Sequence, residues 1–401
     1  MIFTKTKKNT NNKYITLDIG TEFLKIVFFA VEDNNVVIEK YLKKKQHSVA
    51  MKNGTITSIR RVIETIEEAL MDLKFDAKEF DGVIMGIAGE LVKGITVEAK
   101  YTRKKPNSQI TRDEIIKVQE LITEEAYKEA QNLIFGHIGD TTGEISHIEL
   151  VNVIIIDSRI DNFRVEDPIG MTGTNVTIKF YFTFAPIVHV NYLKSITNHI
   201  NLPLLGIVSQ PFAIARSIKG SKNEEFSGII IDIGGGTTDL ALVKNGIVLG
   251  TQMLAFGGRV FTKRISNDLR ISIPEAEDFK IKYSNSELTE IRISEVRNSI
   301  LKDTPIWAAQ VAIGLEEFLT LTNGFPSQFY LCGGGSYLPE IKTALIEYPW
   351  TKELPFNRAP KVNYLLPKDL EGIIDQTNLL SGYDDVTPAS ITRFLLEILN
   401  Y

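Results

Sequence analysis

The sequence holds one cysteine, Cys332, among its 401 residues. That excludes an internal disulfide framework and a cysteine-built zinc site, and it fits a reducing compartment. No apolar run reaches the ~18–20 residues that a bilayer-spanning helix needs. Residues 1–8 are basic but contain no apolar stretch of signal-peptide length, and residues 1–12 read as a disordered arm. Neither sign of charge dominates: 45 Lys and Arg stand against 50 Asp and Glu, a net charge of −5. A nucleic-acid partner is therefore not expected. The longest basic run, Lys43-Lys44-Lys45, reads as a solvated strand end. No Gly-x-x-x-x-Gly-Lys-[Ser/Thr] occurs, and no Gly-x-Gly-x-x-Gly follows a strand, so neither a P-loop nor a dinucleotide-binding βαβ unit is supported.

What is present is an ordinary globular composition, 43% hydrophobic and 24% charged, in a chain too long for one compact core; two lobes are the natural expectation. Residues 14–18, 24–31 and 35–41 read as three consecutive strands, rich in β-branched and aromatic residues and separated by turn residues. Residues 58–73 carry apolar side chains at helical spacing, with Thr57 or Ser58 as N-cap, and 83–87 is a further apolar strand. The plan recurs at 227–233, 240–244 and 247–254, the last two joined by Asn245-Gly246, a pair suited to a type I′ hairpin. An α/β protein of two related lobes follows. Between them, 110–133 predicts a long helix and 146–156 and 159–165 two strands, an inserted α+β unit. Residues 259–324 read as mostly helical, a second insertion.

The strongest local signal runs from Ile229 through Asp232, Gly234, Gly235, Gly236, Thr237, Thr238 and Asp239. A buried strand delivers a carboxylate, then three glycines and two hydroxyls. Glycines let main-chain N–H groups approach a polyphosphate. An aspartate at a strand end suits the water shell of Mg²⁺. The plainer reading is a tight hairpin that merely needs glycine. The first lobe carries a counterpart, Asp18-Ile19-Gly20-Thr21, followed by Lys25. Two such hairpins from opposite lobes could grip phosphates from both sides, and phosphoryl transfer depends mainly on that positioning and charge neutralisation. A third strand–glycine–helix segment, Cys332-Gly333-Gly334-Gly335-Ser336 ahead of Leu338-Pro339, suits a nucleoside or its α-phosphate at a helix start, or is a plain strand-to-helix turn.

These three glycine loops, in this order, resemble the signature of the actin, heat-shock chaperone and sugar-kinase superfamily. Met51-Lys52-Asn53-Gly54-Thr55-Ile56 and Asp167-Pro168-Ile169-Gly170-Met171-Thr172-Gly173 further resemble segments of the FtsA cell-division family and its PilM relatives. The resemblance runs from about Tyr14 to the end of the sequence. It implies an α/β, actin-like two-lobe fold of duplicated ribonuclease H-like domains with an FtsA-type inserted subdomain, IC. The implied division is a first part of subdomain IA at 13–93, IC at 94–176 and the second part of IA at 177–226. Subdomain IIA follows at 227–258, IIB at 259–324, the rest of IIA at 325–382, and a core helix returning to IA at 383–401.

Carried over residue by residue, the resemblance implies ATP with Mg²⁺ as cofactors. Asp18 and Asp232 would organise the ion through its water shell, and Gln210 would orient the attacking water; a carboxamide is a poor base, so hydrolysis would be slow. Gly20, Thr21, Lys25 and Gly234 to Thr238 fall on the phosphate loops. Glu277 and Lys280, three apart on one helix face, would reach ribose and adenine, or form a simple surface ion pair. Gly257 and Gly258 would lie near the sugar, and Gly333, Gly334, Gly335 and Ser336 beside the nucleoside. Gln210 could equally be a helix-start polar residue.

Three functions stay open. An FtsA-like protein would self-assemble into filaments and recruit the FtsZ C-terminal tail, in the cytoplasm or at the inner face of the membrane. A PilM-like adaptor would hold a pilus inner-membrane peptide in its insertion. A kinase of the sugar-kinase branch is disfavoured, since no motif supplies a catalytic base in the first lobe. Ile391, Phe394, Leu395, Ile398 and Leu399 are spaced for burial with Arg393 the only cation among residues 388–401, so direct membrane anchoring through that segment is not expected.

Overall fold

The computed structural model describes residues 11–89, 92–135, 147–223 and 225–399; most of the expected N-terminal arm lies outside them. From Lys13 the chain forms a meander, β1 (Lys13–Ile19), β2 (Phe23–Glu32) and β3 (Asn35–Lys45), then a short ribbon, β4 (Met51–Lys52) and β5 (Thr55–Ile56), helix α1 (Ile59–Asp72) and β6 (Gly82–Ile87). An inserted stretch follows as β7 (Lys93–Thr102), α2 (Arg112–Phe135), β8 (Ile148–Ile160), β9 (Phe163–Val165) and β10 (Asn175–Pro186). The chain returns through α3 (Ile187–His199), β11 (Leu204–Ser209) and α4 (Gln210–Ser217). The second half repeats the meander as β12 (Gly228–Ile233), β13 (Thr238–Lys244) and β14 (Ile247–Leu254). Helices α5 (Gly258–Leu269), α6 (Ile273–Ser284) and α7 (Glu290–Glu316) come next. The last elements are β15 (Gln328–Cys332), α8 (Pro339–Glu347), α9 (Trp350–Glu353), β16 (Lys361–Tyr364), β17 (Ile373–Asp375) and α10 (Val386–Leu399).

The two halves share one topology. In the first sheet the order is β11-β6-β1-β2-β3-β17, and in the second β16-β15-β12-β13-β14. In both, a central strand has an antiparallel meander on one side and two parallel strands on the other. The strands β6 and β12 are buried on both faces, which explains their near-continuous apolar runs. Alternate residues of each central strand feed different cores, as the two-residue period requires. Ile15 and Leu17 pack outward under α1 and α3, while Tyr14 faces inward. Ile229 and Ile231 pack toward α5 and α7, while Ile230 faces inward. The inward residues of both sheets meet Phe212 and Ile214 of α4 and Ile391, Phe394 and Leu395 of α10 in one shared core. Helices α4 and α10 therefore form the layer that joins the lobes. Asn245 and Gly246, both at positive φ, make the expected hairpin turn.

The inserted stretch differs in detail from its sequence reading. Two strands, β7 and β10, were not foreseen there, although Val176, Ile178, Phe180, Phe182 and Phe184 alternate and are all buried. The expected break near residues 157–158 does not occur. One long strand, β8, runs to Ile160 and turns at Asp161-Asn162, which take positive φ. Within the strand, Asp157 faces Arg164 of β9, whose guanidinium sits 2.8 Å from its carboxylate. The order β7-β10-β8-β9 continues the second sheet beyond β14, through the register pairs Gly250–Ile95 and Thr251–Gly94. The expected limits of the insertion, 94 and 176, fall at the start of β7 and inside β10. No helix among the described residues is long and apolar enough to cross a membrane.

Candidate functional site

Each lobe places a carboxylate at the end of its first strand and then turns sharply. In the first turn Gly20 N–H donates to the Phe23 carbonyl at 3.0 Å; in the second, Gly234 N–H donates to that of Thr237 at 2.9 Å. The two hairpins face each other across one cleft of about 520 Å³, lined by both aspartates, Asp18 and Asp232. Gly20, Thr21, Lys25, Gln210, Gly234, Gly235, Gly236, Thr237, Gly258, Glu277, Lys280 and Gly333 to Gly335 line the same space. The hairpins nearly touch. A Cβ on Gly236 would fall 2.6 Å from Thr21 Oγ1 and 3.1 Å from the Asn53 main chain. The glycine is therefore required for the two loops to pack this closely, since no side chain fits between them.

The carboxylates are buried and unevenly compensated. Gln210 Nε2 donates to Asp18 Oδ1 at 2.8 Å, and Thr387 Oγ1 donates to Asp232 Oδ2 at 2.7 Å. Lys25 Nζ lies 3.5 Å from Asp18 Oδ2 and donates to the Asp384 carbonyl at 2.6 Å. Burial pushes Asp18 up despite the lysine, and pushes Asp232 up to about 6. Burial also raises Asp239 well above the ordinary carboxylate range, with Asp232 adding repulsion. Burial works against the Lys25 charge, but Asp18, Asp384, Asp232 and Asp385 outweigh it and raise that group. The floor of the cleft thus gathers Asp18, Asp232, Asp239 and Asp384 around Lys25 and Lys43.

Three of the sequence candidates lie outside the cleft lining. Thr238 Oγ1 donates to the Phe256 carbonyl at 2.6 Å and accepts from Trp307 Nε1 at 2.9 Å. Ser336 Oγ donates to the Cys332 carbonyl at 2.5 Å. Gly257 lies under the second loop, where a Cβ would meet Thr237 N at 2.6 Å and Gly234 O at 2.7 Å. Gly333 has a sharper constraint: its φ is +83°, and a Cβ there would fall 2.2 Å from Asp232 Oδ1. Glu277 and Lys280 do pair, at 2.8 Å, but as a largely buried pair. Lys280 also donates to the Gly258 carbonyl at 3.1 Å and to Thr262 Oγ1 at 2.7 Å, so it anchors the start of α5 against α6.

Several residues that shape the cleft were not singled out from sequence. Asp384 and Thr387 come from the far end of the chain, and only the return of α10 between the sheets brings them in. Lys43, from the basic run, points to Asp384 at 2.5 Å instead of to solvent. Lys25 and Lys43 together hold Asp384 below the usual carboxylate range, although burial opposes them. The ribbon β4–β5 sits over the first loop, with Gly54 N–H donating to Thr21 Oγ1 at 3.2 Å. Asp239 lay within the quoted motif without a role. It lines the cleft, and its Oδ1 is buried without a hydrogen-bond partner.

An orphaned carboxylate oxygen beside two others with raised affinity for protons marks a place for a cation. Among the described residues no three metal-ligating side chains converge on one point. A direct protein cage is thus a poor fit, whereas Mg²⁺, which keeps several waters, suits Asp18, Asp232 and Asp239 as partners of its water shell.

A family model described as cell division protein FtsA matches residues 229–370, which span β12 to β16 and two of the glycine loops. The cell division protein FtsA of Neisseria meningitidis is 24% identical over 84% of this chain and 81% of its own. That of Bacillus subtilis is 25% identical over 83% of this chain and 76% of its own. In architecture, a PilM–PilN type IV pilus biogenesis complex superposes with a TM-score of 0.65, 15% identity and coverage of 96% of this chain and 98% of that one. The ethanolamine utilization protein EutJ of Carboxydothermus hydrogenoformans gives 0.51 at 15% identity, over 97% and 92%. The chain carries the actin-like two-lobed fold, and its likeness in sequence is to the FtsA cell-division proteins.

Proposed function

We propose that this chain is an FtsA-like actin homologue that binds ATP·Mg²⁺ between its lobes, assembles with itself and recruits the cell-division protein FtsZ. The observation that carries the nucleotide part is the pair of carboxylate–glycine hairpins, Asp18 to Glu22 and Asp232 to Thr237, facing one cleft. The glycine loops offer main-chain N–H groups to the phosphates, and Lys25 supplies the cation among them. Asp18, Asp232 and Asp239 would hold Mg²⁺ through its waters; the ion neutralises phosphate charge. Gln210, fixed by its bond to Asp18, orients a water and cannot take its proton efficiently, so turnover is slow and the nucleotide acts mainly as an assembly switch. The subdomain divisions drawn from sequence belong to this proposal.

A second reading has its own support. The fold superposes on a PilM-containing complex over nearly the whole chain, which favours an ATP-binding adaptor that docks a peptide of a pilus or secretion machine. Electron microscopy of the purified protein with ATP·Mg²⁺ separates the two. Filaments support the first reading. Dispersed particles that retain a pilus inner-membrane peptide move the assignment to the second. Failure to bind ATP by calorimetry removes both.

A further inference from the structure

One residue ties both phosphate loops together. The main chain of Arg259, at the start of α5, is bound to the second loop: its N–H donates to the Gly235 carbonyl at 2.8 Å, next to Gly258 N–H on the Gly234 carbonyl at 2.9 Å. Its side chain crosses to the first lobe. There the guanidinium pairs through Nε with the Glu22 carboxylate, donates through Nη2 to the Thr21 carbonyl at 3.0 Å, and donates through Nη1 to the Met51 carbonyl of β4 at 3.0 Å. Three acceptors in three directions use the fixed fork of a guanidinium; a lysine could not reach them together. The contact is close as well as polar, since a Cβ on Gly235 would fall 2.5 Å from Glu22 Cγ. Glu22 lines the cleft and Arg259 lies just behind it.

We infer that Arg259 is a positioning residue that fastens the first phosphate loop and the β4–β5 ribbon to the second loop, and so sets how long a nucleotide stays in the cleft. The inference rests on the nucleotide reading above. A ligand held by both loops leaves only when they part, and parting them breaks all three side-chain contacts at once. The pair with Glu22 is partly exposed, so in the ligand-free protein it adds little to folding stability. Its effect is on the lifetime of the closed cleft.

The test uses the full chain and a fluorescent ATP analogue with Mg²⁺, chased with excess ATP. Arg259→Ala is expected to speed release about tenfold, with Arg259→Lys close to it. Glu22→Gln should speed release in the same direction, and the double variant Glu22→Gln with Arg259→Ala should be no faster than Arg259→Ala alone, because the two act as one contact. The melting temperature of the ligand-free protein should change little, which a merely structural residue would not leave unmoved. If Arg259→Ala does not fold, Glu22→Gln carries the same comparison. Unchanged release in these variants overturns the clasp while leaving the nucleotide site standing. A wild-type protein that fails to bind the analogue overturns the nucleotide reading, and the clasp with it.

Discussion

Thr387 on the last helix donates its hydroxyl to Asp232 in the second lobe at 2.7 Å. Helix α10 otherwise packs in the shared core beneath the first sheet, so this bond carries the end of the chain to the carboxylate of the opposite hairpin. It fixes Asp232 in the orientation that faces Asp18 across the cleft.

Asp232→Ala is therefore expected to abolish Mg²⁺-dependent ATP binding in calorimetry. Thr387→Val should weaken it less, since the carboxylate remains but loses its orienting donor. Full binding by Asp232→Ala would remove the role given to that group.

Gln210→Ala should slow phosphate release by about tenfold or more while leaving ATP affinity near wild type, because the carboxamide acts on the attacking water. Single-turnover phosphate release against equilibrium binding separates the two. Lost affinity with normal turnover would show that Gln210 serves only to hold Asp18.

Asp232 gives a pH signature. Burial raises its folded pKa from 3.8 to about 6, so between those values the native protein holds a proton that the unfolded chain has released. The stability this contributes is complete below pH 3.8 and is lost as pH rises toward about 6. The melting temperature of the ligand-free wild type should thus fall across this window relative to Asp232→Asn. Binding of Mg²⁺ needs the ionised form, so ATP·Mg²⁺ affinity should rise over the same interval. Parallel melting curves for the two proteins would contradict the burial argument.

Gly333→Ala meets two obstacles, a positive φ and the Asp232 carboxylate 2.2 Å from the new methyl group. A loss of about 1–3 kcal/mol in chemical denaturation is expected from the backbone alone, together with weakened Mg²⁺ dependence of binding. Normal stability and normal binding would mean that the turn adapts.

Thr238→Val separates support from contact. The Thr238 hydroxyl bridges the Phe256 carbonyl and Trp307, and its removal leaves the buried indole N–H of Trp307 and the part-buried Phe256 carbonyl without this partner. A cost of about 1–3 kcal/mol is expected, with nucleotide affinity of the folded protein nearly unchanged. A strong loss of affinity without loss of stability would place Thr238 among the phosphate contacts.

Much of the framework was legible because local chemistry and global fold agree. The strand before Asp232 is a continuous apolar run and that before Asp18 is rich in β-branched and aromatic residues, and Asn245-Gly246 is a turn that few other pairs can make. The duplicated pattern itself implied two lobes with facing hairpins. In the insertion the alternation of β10 is a strand signal left unused, and the two strands expected at 146–156 and 159–165 are instead one strand to Ile160 followed by a short one.

The sequence alone determined the strand meander of each lobe and the carboxylate–glycine hairpins, since those depend on residue types within a few positions of each other. Only the tertiary structure decided that Asp384, Thr387 and Lys43 belong to the cleft and that Thr238 and Ser336 are turned away from it. It also decided that Arg259 spans the two lobes. The contacts of Lys43 with Asp384, Thr387 with Asp232 and Arg259 with Glu22 join residues more than 150 positions apart, and no local pattern encodes which of them meet.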